Sequence, residues 1–353
     1  MNHQTAFDQF IVGMAFRGPI YYLASEDLFS MGRLSSLIRY LVAPIPIKKQ
    51  TTDVKAIMTC IRVAREGGTI AIAPEGNRTY SGRTEYMSPT IAPLARKLGM
   101  PIALFRIEGG YGVHPRWSDV VRRGKMHAYV SRVISPEEYR DMTDEELFFA
   151  IEKELYVDET HSEESFIHER RAEYLERALY VCPYCGISTL ESHGAEIECK
   201  MCGRRVEYTE KKKLFGIGFD FPFQSVAEWY DYEKNYINAL DPRELTEKPI
   251  GRDAGKLLRV IPYKKKESIA DECEILLFGD RIEIKYDTGH LIFPFSETAA
   301  VTVLGKNKMN IYHGEDIYQI SPPERFSALK YVHIYNRYKN ITKGDPNGTF
   351  LGL

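Results

Sequence analysis

Two Cys-x-x-Cys pairs constrain the fold of this chain more than any other feature. Thirteen residues separate the pairs and a glycine follows each of them; the four cysteines are Cys182, Cys185, Cys199 and Cys202. Two such turns can bring four thiolates together in the tetrahedron that Zn²⁺ prefers, with a β-hairpin between them. Four protein ligands leave no open coordination position, so the spacing predicts a structural zinc ribbon over residues 181–214. Four unligated thiols are the alternative.

Charge is distributed unevenly along a chain whose net charge is only −2. Residues 33–132 contain seventeen Lys and Arg against six Asp and Glu, whereas residues 137–176 contain four against fifteen. The first segment is therefore expected to meet an anionic ligand or surface, although two solvated faces would give the same pattern. The overall balance gives no reason to expect nucleic acid as a partner. No apolar run approaches the roughly eighteen residues that span a bilayer, so we expect a soluble or peripheral chain.

Helical and strand patterns alternate in the first part of the chain. Residues 51–68 and 90–100 have apolar positions at helical spacing, and the first stretch closes on a pair of glycines. Short apolar runs at 69–73 and 101–107 follow them and are typical of buried strands. The alternation predicts an α/β domain with a largely covered sheet over residues 1–135.

An acidic helical connector is predicted for residues 136–180. Two capping-box patterns, Ser135 with Glu138 and Thr143 with Glu146, mark the starts of its first helices. The second half of the connector is rich in charged residues and is predicted to form a further helix that ends just before the cysteines.

The C-terminal part of the chain changes from helical to strand patterns. Residues 215–255 are predicted to be a helical linker, whose helix starts at the capping box of Ser225 and Glu228. Residues 256–341 contain seven short strand patterns, separated by turn residues and followed by one closing helix, and residues 342–353 form a tail. In strand count and closing helix this mostly β region resembles a PH or GRAM module with a barrel. Such a module would bind a phospholipid headgroup or a protein, or serve only for packing.

A loop with a glycine follows the first predicted buried strand of the α/β domain. Pro74 ends the strand, and the loop contains Glu75, Gly76, Asn77 and Arg78. Gly76 allows a ligand to approach the backbone, and Arg78 offers a planar fork that suits phosphate or carboxylate. By itself this pattern is equally typical of a salt-bridged turn.

His3 and Asp8 stand five positions apart at the start of the sequence. Five residues rotate about 140° beyond a full turn of a helix, so the two side chains cannot share one helix face. If His3 lies in a loop and Asp8 on the first helical turn, however, the carboxylate can reach back to the imidazole. A carboxylate on one ring nitrogen fixes the tautomer and makes the other nitrogen a general base.

These motifs together resemble the glycerolipid acyltransferases, the family of lysophosphatidate acyltransferase-like enzymes. The resemblance covers the region up to about residue 130. Four blocks carry it in the family's order: Asn2, His3 and Asp8; Ala43 to Lys49; Pro74, Glu75, Gly76 and Arg78; and Met100 to Leu104.

Four positions depart from the family's pattern. Lys49 replaces an Arg and keeps the charge without the bidentate fork, and Ala73 replaces an aromatic residue. Asn77 stands in place of Thr, and Leu104 in place of the last Pro. These departures bear on the acceptor pocket more than on the chemistry.

The resemblance implies transfer of a fatty acyl group from acyl-CoA or acyl-carrier protein to the hydroxyl of a lysophosphatidate-like acceptor. His3 would act as general base and Asp8 would orient it, without a catalytic metal. The acceptor's phosphate would be held by the residues that match the second and third blocks: Lys49, Glu75, Gly76, Asn77 and Arg78.

The resemblance also carries expectations about place and extent. It implies a cytoplasmic enzyme, peripheral on the anionic inner face of the membrane. Members of the family have helical sequence before the first block, so the chain is expected to lack residues that precede Met1. The rival hypothesis is a non-catalytic lipid- or protein-binding scaffold, with a degenerate acyltransferase domain and a ribbon used for docking.

Overall fold

The computed structural model describes most of the chain and divides it into two compact units. The described residues are 1–25, 40, 44–47, 53–261, 266–344 and 348–352. Unit 1 contains residues 1–116 and 123–164, and unit 2 contains residues 117–122 together with the described residues from 165 onward. None of the helices in these ranges is long and apolar enough to cross a bilayer.

Unit 1 alternates helices and strands, as the sequence patterns predicted. A three-stranded parallel sheet has the order β2-β1-β3, and β4 pairs with β5 as an antiparallel hairpin. The elements are α1 (Asp8–Ala15), β1 (Ile20–Ser25), β2 (Ile45–Ile47), α2 (Val54–Arg65), β3 (Thr69–Ala71), α3 (Ile91–Leu98), β4 (Ile102–Glu108), α4 (Gly110–Val113), β5 (His127–Ile134), α5 (Pro136–Arg140) and α6 (Asp144–Leu155).

The helices predicted as the start of a connector pack within unit 1. Three buried residues of α6 share one apolar cluster with Leu104 of β4 and Ile134 of β5; they are Leu147, Ile151 and Leu155. The predicted domain edge at residue 135 therefore differs from the division of the structure, which falls after Glu164.

Both caps at the start of these helices are present, but only Thr143 and Glu146 form the reciprocal capping box that was predicted for each. The Ser135 hydroxyl accepts the Glu138 amide at 3.2 Å. Thr143 accepts the Glu146 amide at 3.2 Å, and the Glu146 carboxylate accepts the Thr143 amide at 2.7 Å. These bonds satisfy amide groups that have no partner within the first helical turn, which explains why the helices begin there.

The further helix predicted in the second half of the connector is wrong. Among residues 163–180 the structure has only the 3₁₀ helix Leu175–Arg177. Tyr174 has φ 71°, in the left-handed region, and the Ala172 amide donates to the Gly194 carbonyl at 2.8 Å. Hydrogen bonds to the neighbouring ribbon thus replace the helical ones, although the side chains favour a helix.

Unit 2 begins with the ribbon. A four-stranded antiparallel sheet has the order β11-β10-β9-β8, beside the short pair β6 and β7. The Ser225 hydroxyl accepts the Glu228 amide and caps the helix α7 (Val226–Ala239), as predicted. The strands are β6 (Val181–Cys182), β7 (Gly186–Ile187), β8 (Leu190–His193), β9 (Glu196–Cys199), β10 (Arg205–Tyr208) and β11 (Leu214–Gly216).

The seven strands predicted in the C-terminal region form one antiparallel sheet with the order β15-β14-β13-β12-β18-β17-β16. The closing helix α8 (Leu329–Thr342) packs on it, since the Tyr335 hydroxyl donates to the Thr298 carbonyl at 3.0 Å. Closure into a PH-like barrel stays a prediction. The strands are β12 (Gly251–Val260), β13 (Glu267–Leu277), β14 (Arg281–Tyr286), β15 (Gly289–Pro294), β16 (Thr298–Leu304), β17 (Lys308–His313) and β18 (Asp316–Ser321).

Candidate functional site

His3 and Asp8 form a hydrogen-bonded pair at the start of α1. His3 lies in the loop before the helix, Asp8 is its first residue, and His3 Nδ1 is 2.7 Å from Asp8 Oδ2. The predicted placement is therefore confirmed. Because a carboxylate only accepts, Nδ1 is the donor in this contact, which leaves Nε2 as the ring nitrogen for a substrate. The His3 side chain is 27% exposed while that of Asp8 is 0% exposed, so the imidazole is the member that a substrate can reach.

Backbone amides hold the Asp8 carboxylate in place. The amides of Gln4 and Thr5 donate to Asp8 Oδ2 at 2.8 Å and 3.1 Å. Because these amides belong to the loop between His3 and Asp8, they fix the orientation of the carboxylate toward the imidazole. Charge-assisted bonds of this kind are among the stronger ones in proteins.

Asn2 fixes the loop to strand β4. Its side-chain amide donates to the Ile107 carbonyl at 2.8 Å, and its side-chain oxygen accepts the Ile107 amide at 2.7 Å. Asn2 is fully buried, so both bonds are shielded from water. The asparagine of the first motif therefore attaches the dyad to the interior of unit 1.

The loop that begins at Pro74 contacts the dyad through the His3 backbone. The His3 amide donates to Glu75 Oε1 at 2.9 Å, and the Thr79 amide donates to the His3 carbonyl at 3.4 Å. Burial raises the pKa of Glu75 to about 8, although the His3 amide opposes the shift. Gly76 has φ 68°, a conformation that favours glycine. The structure thus brings the first and third motifs together.

Arg78 places a partly buried cation beside the dyad. Its Nη1 is buried and has no hydrogen-bond partner among the described residues. Burial, followed by the charge of Arg116, lowers the pKa of Arg78 to about 10. The sequence motifs did not include Arg116, because it lies outside every block and only the folded chain brings it near Arg78.

The two other predicted substrate-binding residues are Asn77 and Lys49. Asn77 is half-buried in the same loop. Lys49 lies outside the described residues.

A comparison with known families agrees with this arrangement. The model of the Acyltransferase family matches residues 1–107, which contain the dyad and the whole of the Glu75–Arg78 loop. Residues 1–107 are therefore similar to the acyltransferase family. We call residues 1–107 the acyltransferase region.

Among solved structures, the chain is similar to the 1-acyl-sn-glycerophosphate (LPA) acyltransferase PlsC from Thermotoga maritima. The identity is 24% and the TM-score 0.38, and the match covers 43% of this chain and 60% of that chain. The chain therefore spans less than two thirds of the length of that protein. No curated protein gives a significant match.

An apolar cavity of about 240 Å³ lies in unit 1, beside helix α1 and the loop that begins at Pro74. Pro74, which precedes Glu75, forms part of its wall, as does Val12 on α1. Phe16, Ile20 and Phe105 add further apolar surface. The cavity can hold hydrocarbon but offers few partners for a charged group.

The four cysteines of unit 2 converge as predicted. Their sulfur atoms all lie within 4.8 Å of one another, and Cys182 Sγ is 3.9 Å from Cys202 Sγ. Four sulfurs bound at about 2.3 Å to one Zn²⁺ lie about 3.8 Å apart, so the cluster could hold such an ion. Gly186 and Gly203, which follow the pairs, both have positive φ. Strands β8 and β9 form the predicted hairpin between the pairs.

Proposed function

We propose that the chain is an O-acyltransferase that moves a fatty acyl group from acyl-CoA or acyl-carrier protein to the hydroxyl of a lysophosphatidate-like acceptor. The observation that carries the proposal is the 2.7 Å contact between His3 and Asp8, with His3 accessible and Asp8 buried. The match of residues 1–107 to the acyltransferase family supports the same reaction class.

In this mechanism His3 Nε2 takes the proton of the acceptor hydroxyl as the oxygen attacks the thioester carbonyl. Asp8 holds the Nδ1 proton and stabilises the imidazolium that forms. When the tetrahedral intermediate collapses, the carbon–sulfur bond breaks and His3 returns the proton to the leaving thiolate. Neither a metal ion nor a covalent enzyme intermediate is needed for this balance.

The acceptor's phosphate would lie against the loop after Pro74. Arg78 supplies positive charge there, and Lys49 would add to it. Glu75, Gly76 and Asn77 would shape the same subsite, with Glu75 also fixing the His3 backbone. The apolar cavity would hold the acyl chain, since its walls are formed by the elements that carry the dyad and the loop.

The proposal also covers the cysteine cluster, the C-terminal sheet and the binding of the chain to a membrane. The four cysteines would bind a structural Zn²⁺, and the C-terminal sheet with its helix would form a PH- or GRAM-like module. The surplus of Lys and Arg in residues 33–132 supports peripheral binding to an anionic membrane on its cytoplasmic face.

The test is acyl transfer to lysophosphatidate from acyl-CoA and from acyl-carrier protein by the full chain and by His3→Ala. We expect kcat to fall by roughly 10²- to 10⁴-fold, the usual contribution of a general base. His127→Ala, an exposed histidine on β5, is the matched control and should keep full activity. Equal turnover by the His3 variant would contradict the mechanism. Binding of lysophosphatidate without turnover by the unmodified chain would favour the scaffold hypothesis.

A further inference from the structure

We propose that Arg116 supplies a second guanidinium to the acceptor subsite and makes that subsite selective for phosphomonoesters over phosphodiesters. This inference rests on the proposed function, because it refines the subsite around Arg78. No motif of the acyltransferase region contains Arg116, which follows the match at residues 1–107.

Contacts within unit 1 fix the position of Arg116. Its Nη1 donates to the Arg78 carbonyl at 3.3 Å, and its guanidinium lies over the Tyr80 ring, 4.4 Å from the centroid. Arg116 is only 3% exposed. A guanidinium held by a carbonyl and an aromatic face is well ordered before any ligand arrives.

One peptide unit connects this guanidinium to the dyad. The carbonyl of Arg78 accepts from Arg116, and the amide of Thr79, in the same peptide unit, donates to the His3 carbonyl at 3.4 Å. The second cation is therefore attached to the same loop that positions the general base.

The electrostatics of Arg78 indicate a ligand of more than one negative charge. Two guanidinium groups repel each other, and Arg78 Nη1 is buried without a hydrogen-bond partner among the described residues. An anion between the two side chains would relieve both costs. A phosphomonoester carries about −1.5 to −2 charge at neutral pH, whereas a phosphodiester carries one negative charge. Two arginines match the monoester better.

The experiment measures binding of glycerol 3-phosphate and of glycerophosphocholine to the full chain by calorimetry, without an acyl donor. In Arg116→Gln we expect glycerol 3-phosphate to bind about tenfold more weakly, with glycerophosphocholine changed by less than twofold. Arg116→Lys, which keeps the charge, should retain most of the preference. Arg123→Gln, which removes an exposed charge of the same unit, is the matched control and should bind both ligands as the unmodified chain does.

Three results would overturn the inference: unchanged glycerol 3-phosphate affinity in a folded Arg116→Gln, an equal loss for both ligands, or no preference in the unmodified chain. Circular dichroism of each variant separates these results from loss of the fold. If Arg116→Gln does not fold, the binding of the two ligands is compared between Arg116→Lys and Arg78→Lys instead. Because binding is measured without turnover, failure of the proposed reaction can be distinguished from failure of this inference. A chain that binds the monoester selectively but transfers no acyl group would keep this inference and lose that function.

Discussion

The dyad of unit 1 and the four-cysteine cluster of unit 2 both arise from short sequence spacings, but the chain supports them differently. His3 stays accessible, and its loop depends on residues far along the sequence, namely Ile107 and Glu75. The cysteine turns are closed by their own backbone: the Cys185 amide donates to the Cys182 carbonyl at 3.3 Å, and the Gly203 amide to the Cys199 carbonyl at 2.8 Å.

The difference reflects what each group must do. A general base has to meet substrate, so it cannot be enclosed, and its orientation must come from long-range contacts. A structural metal site is enclosed and needs ligands more than scaffolding. Long-range support for the ribbon comes from α7, where Trp229 Nε1 donates to the Val181 carbonyl at 2.7 Å and Glu233 Oε2 accepts the Tyr180 amide at 2.6 Å.

The largest effect should follow loss of the metal from the ribbon. We expect the purified chain to carry about one Zn²⁺, and Cys199→Ser to lose it, with a penalty on the order of ten kcal/mol for the ribbon. The measurements are metal content by mass spectrometry and proteolysis of residues 181–214. Cys273→Ser, a buried cysteine outside the cluster, should leave the metal content unchanged. A metal-free chain whose ribbon resists proteolysis would sink the zinc assignment.

Asp8→Asn should affect activity more than folding. The carboxamide cannot accept the His3 and backbone donors as a carboxylate does, so we expect kcat to fall by roughly 10²- to 10⁴-fold. Loss of charge-assisted bonds should lower the free energy of unfolding by about 2 kcal/mol. Steady-state kinetics and urea unfolding measure the two effects. Asp141→Asn, at an exposed position of unit 1, is the control. Full activity in Asp8→Asn would show that the dyad is not the catalytic pair.

Asn2→Ala tests the long-range support of the dyad directly. It leaves the buried amide and carbonyl of Ile107 without their partner, which should lower the free energy of unfolding by about 3 kcal/mol. Asn2→Asp keeps an acceptor for the Ile107 amide but sets an oxygen against the Ile107 carbonyl at a buried position, so it should lose at least as much. Urea unfolding followed by a unit 1 probe gives the values. If both variants unfold like the unmodified chain, the dyad does not depend on Ile107.

Glu233 gives the support of the ribbon a pH dependence. Burial raises the pKa of this 0% exposed carboxyl well above its ordinary value, so the folded chain holds its proton to higher pH than the unfolded chain does. The unfolded state binds fewer protons above pH 4.5, so stability falls as pH rises through that value, by up to about 1.4 kcal/mol per pH unit.

Glu233→Gln cannot ionise, so its free energy of unfolding should not show this fall. Relative to the unmodified chain, the variant should therefore become more stable between pH 5 and pH 8. Urea unfolding at the two pH values is the measurement. Glu247→Gln, exposed in unit 2, should keep the original slope. Parallel slopes for the Glu233 variant and the unmodified chain would show that Glu233 is ionised when folded.

The smallest effects should come from helix caps, one in each unit. Thr143→Ala and Ser225→Ala each remove a side chain that accepts an amide of the first helical turn. Each should lower the free energy of unfolding by about 1 kcal/mol. Calorimetry of the two variants would reveal whether unit 1 and unit 2 respond alike. A change of several kcal/mol in one of them would mean that the cap also supports tertiary contacts.

Features that depend on neighbours along the chain could be predicted from the sequence. Local hydrogen bonding and side-chain alternation predict four convergent cysteines with a hairpin, the capped starts of α6 and α7, and the seven strands with a closing helix. The reach of Asp8 back to His3 was predictable for the same reason, since five residues span one loop and one helical turn.

The contacts that hold the site together could not be predicted, because they join residues that are far apart in the sequence. The tertiary structure paired Asn2 with Ile107, joined the Glu75 carboxylate to the His3 backbone and brought Arg116 to Arg78. It also replaced the expected helix before the ribbon with the short 3₁₀ helix Leu175–Arg177. Contacts between distant residues depend on the path of the whole chain and on which buried polar groups find partners there. Local sequence patterns do not encode that path.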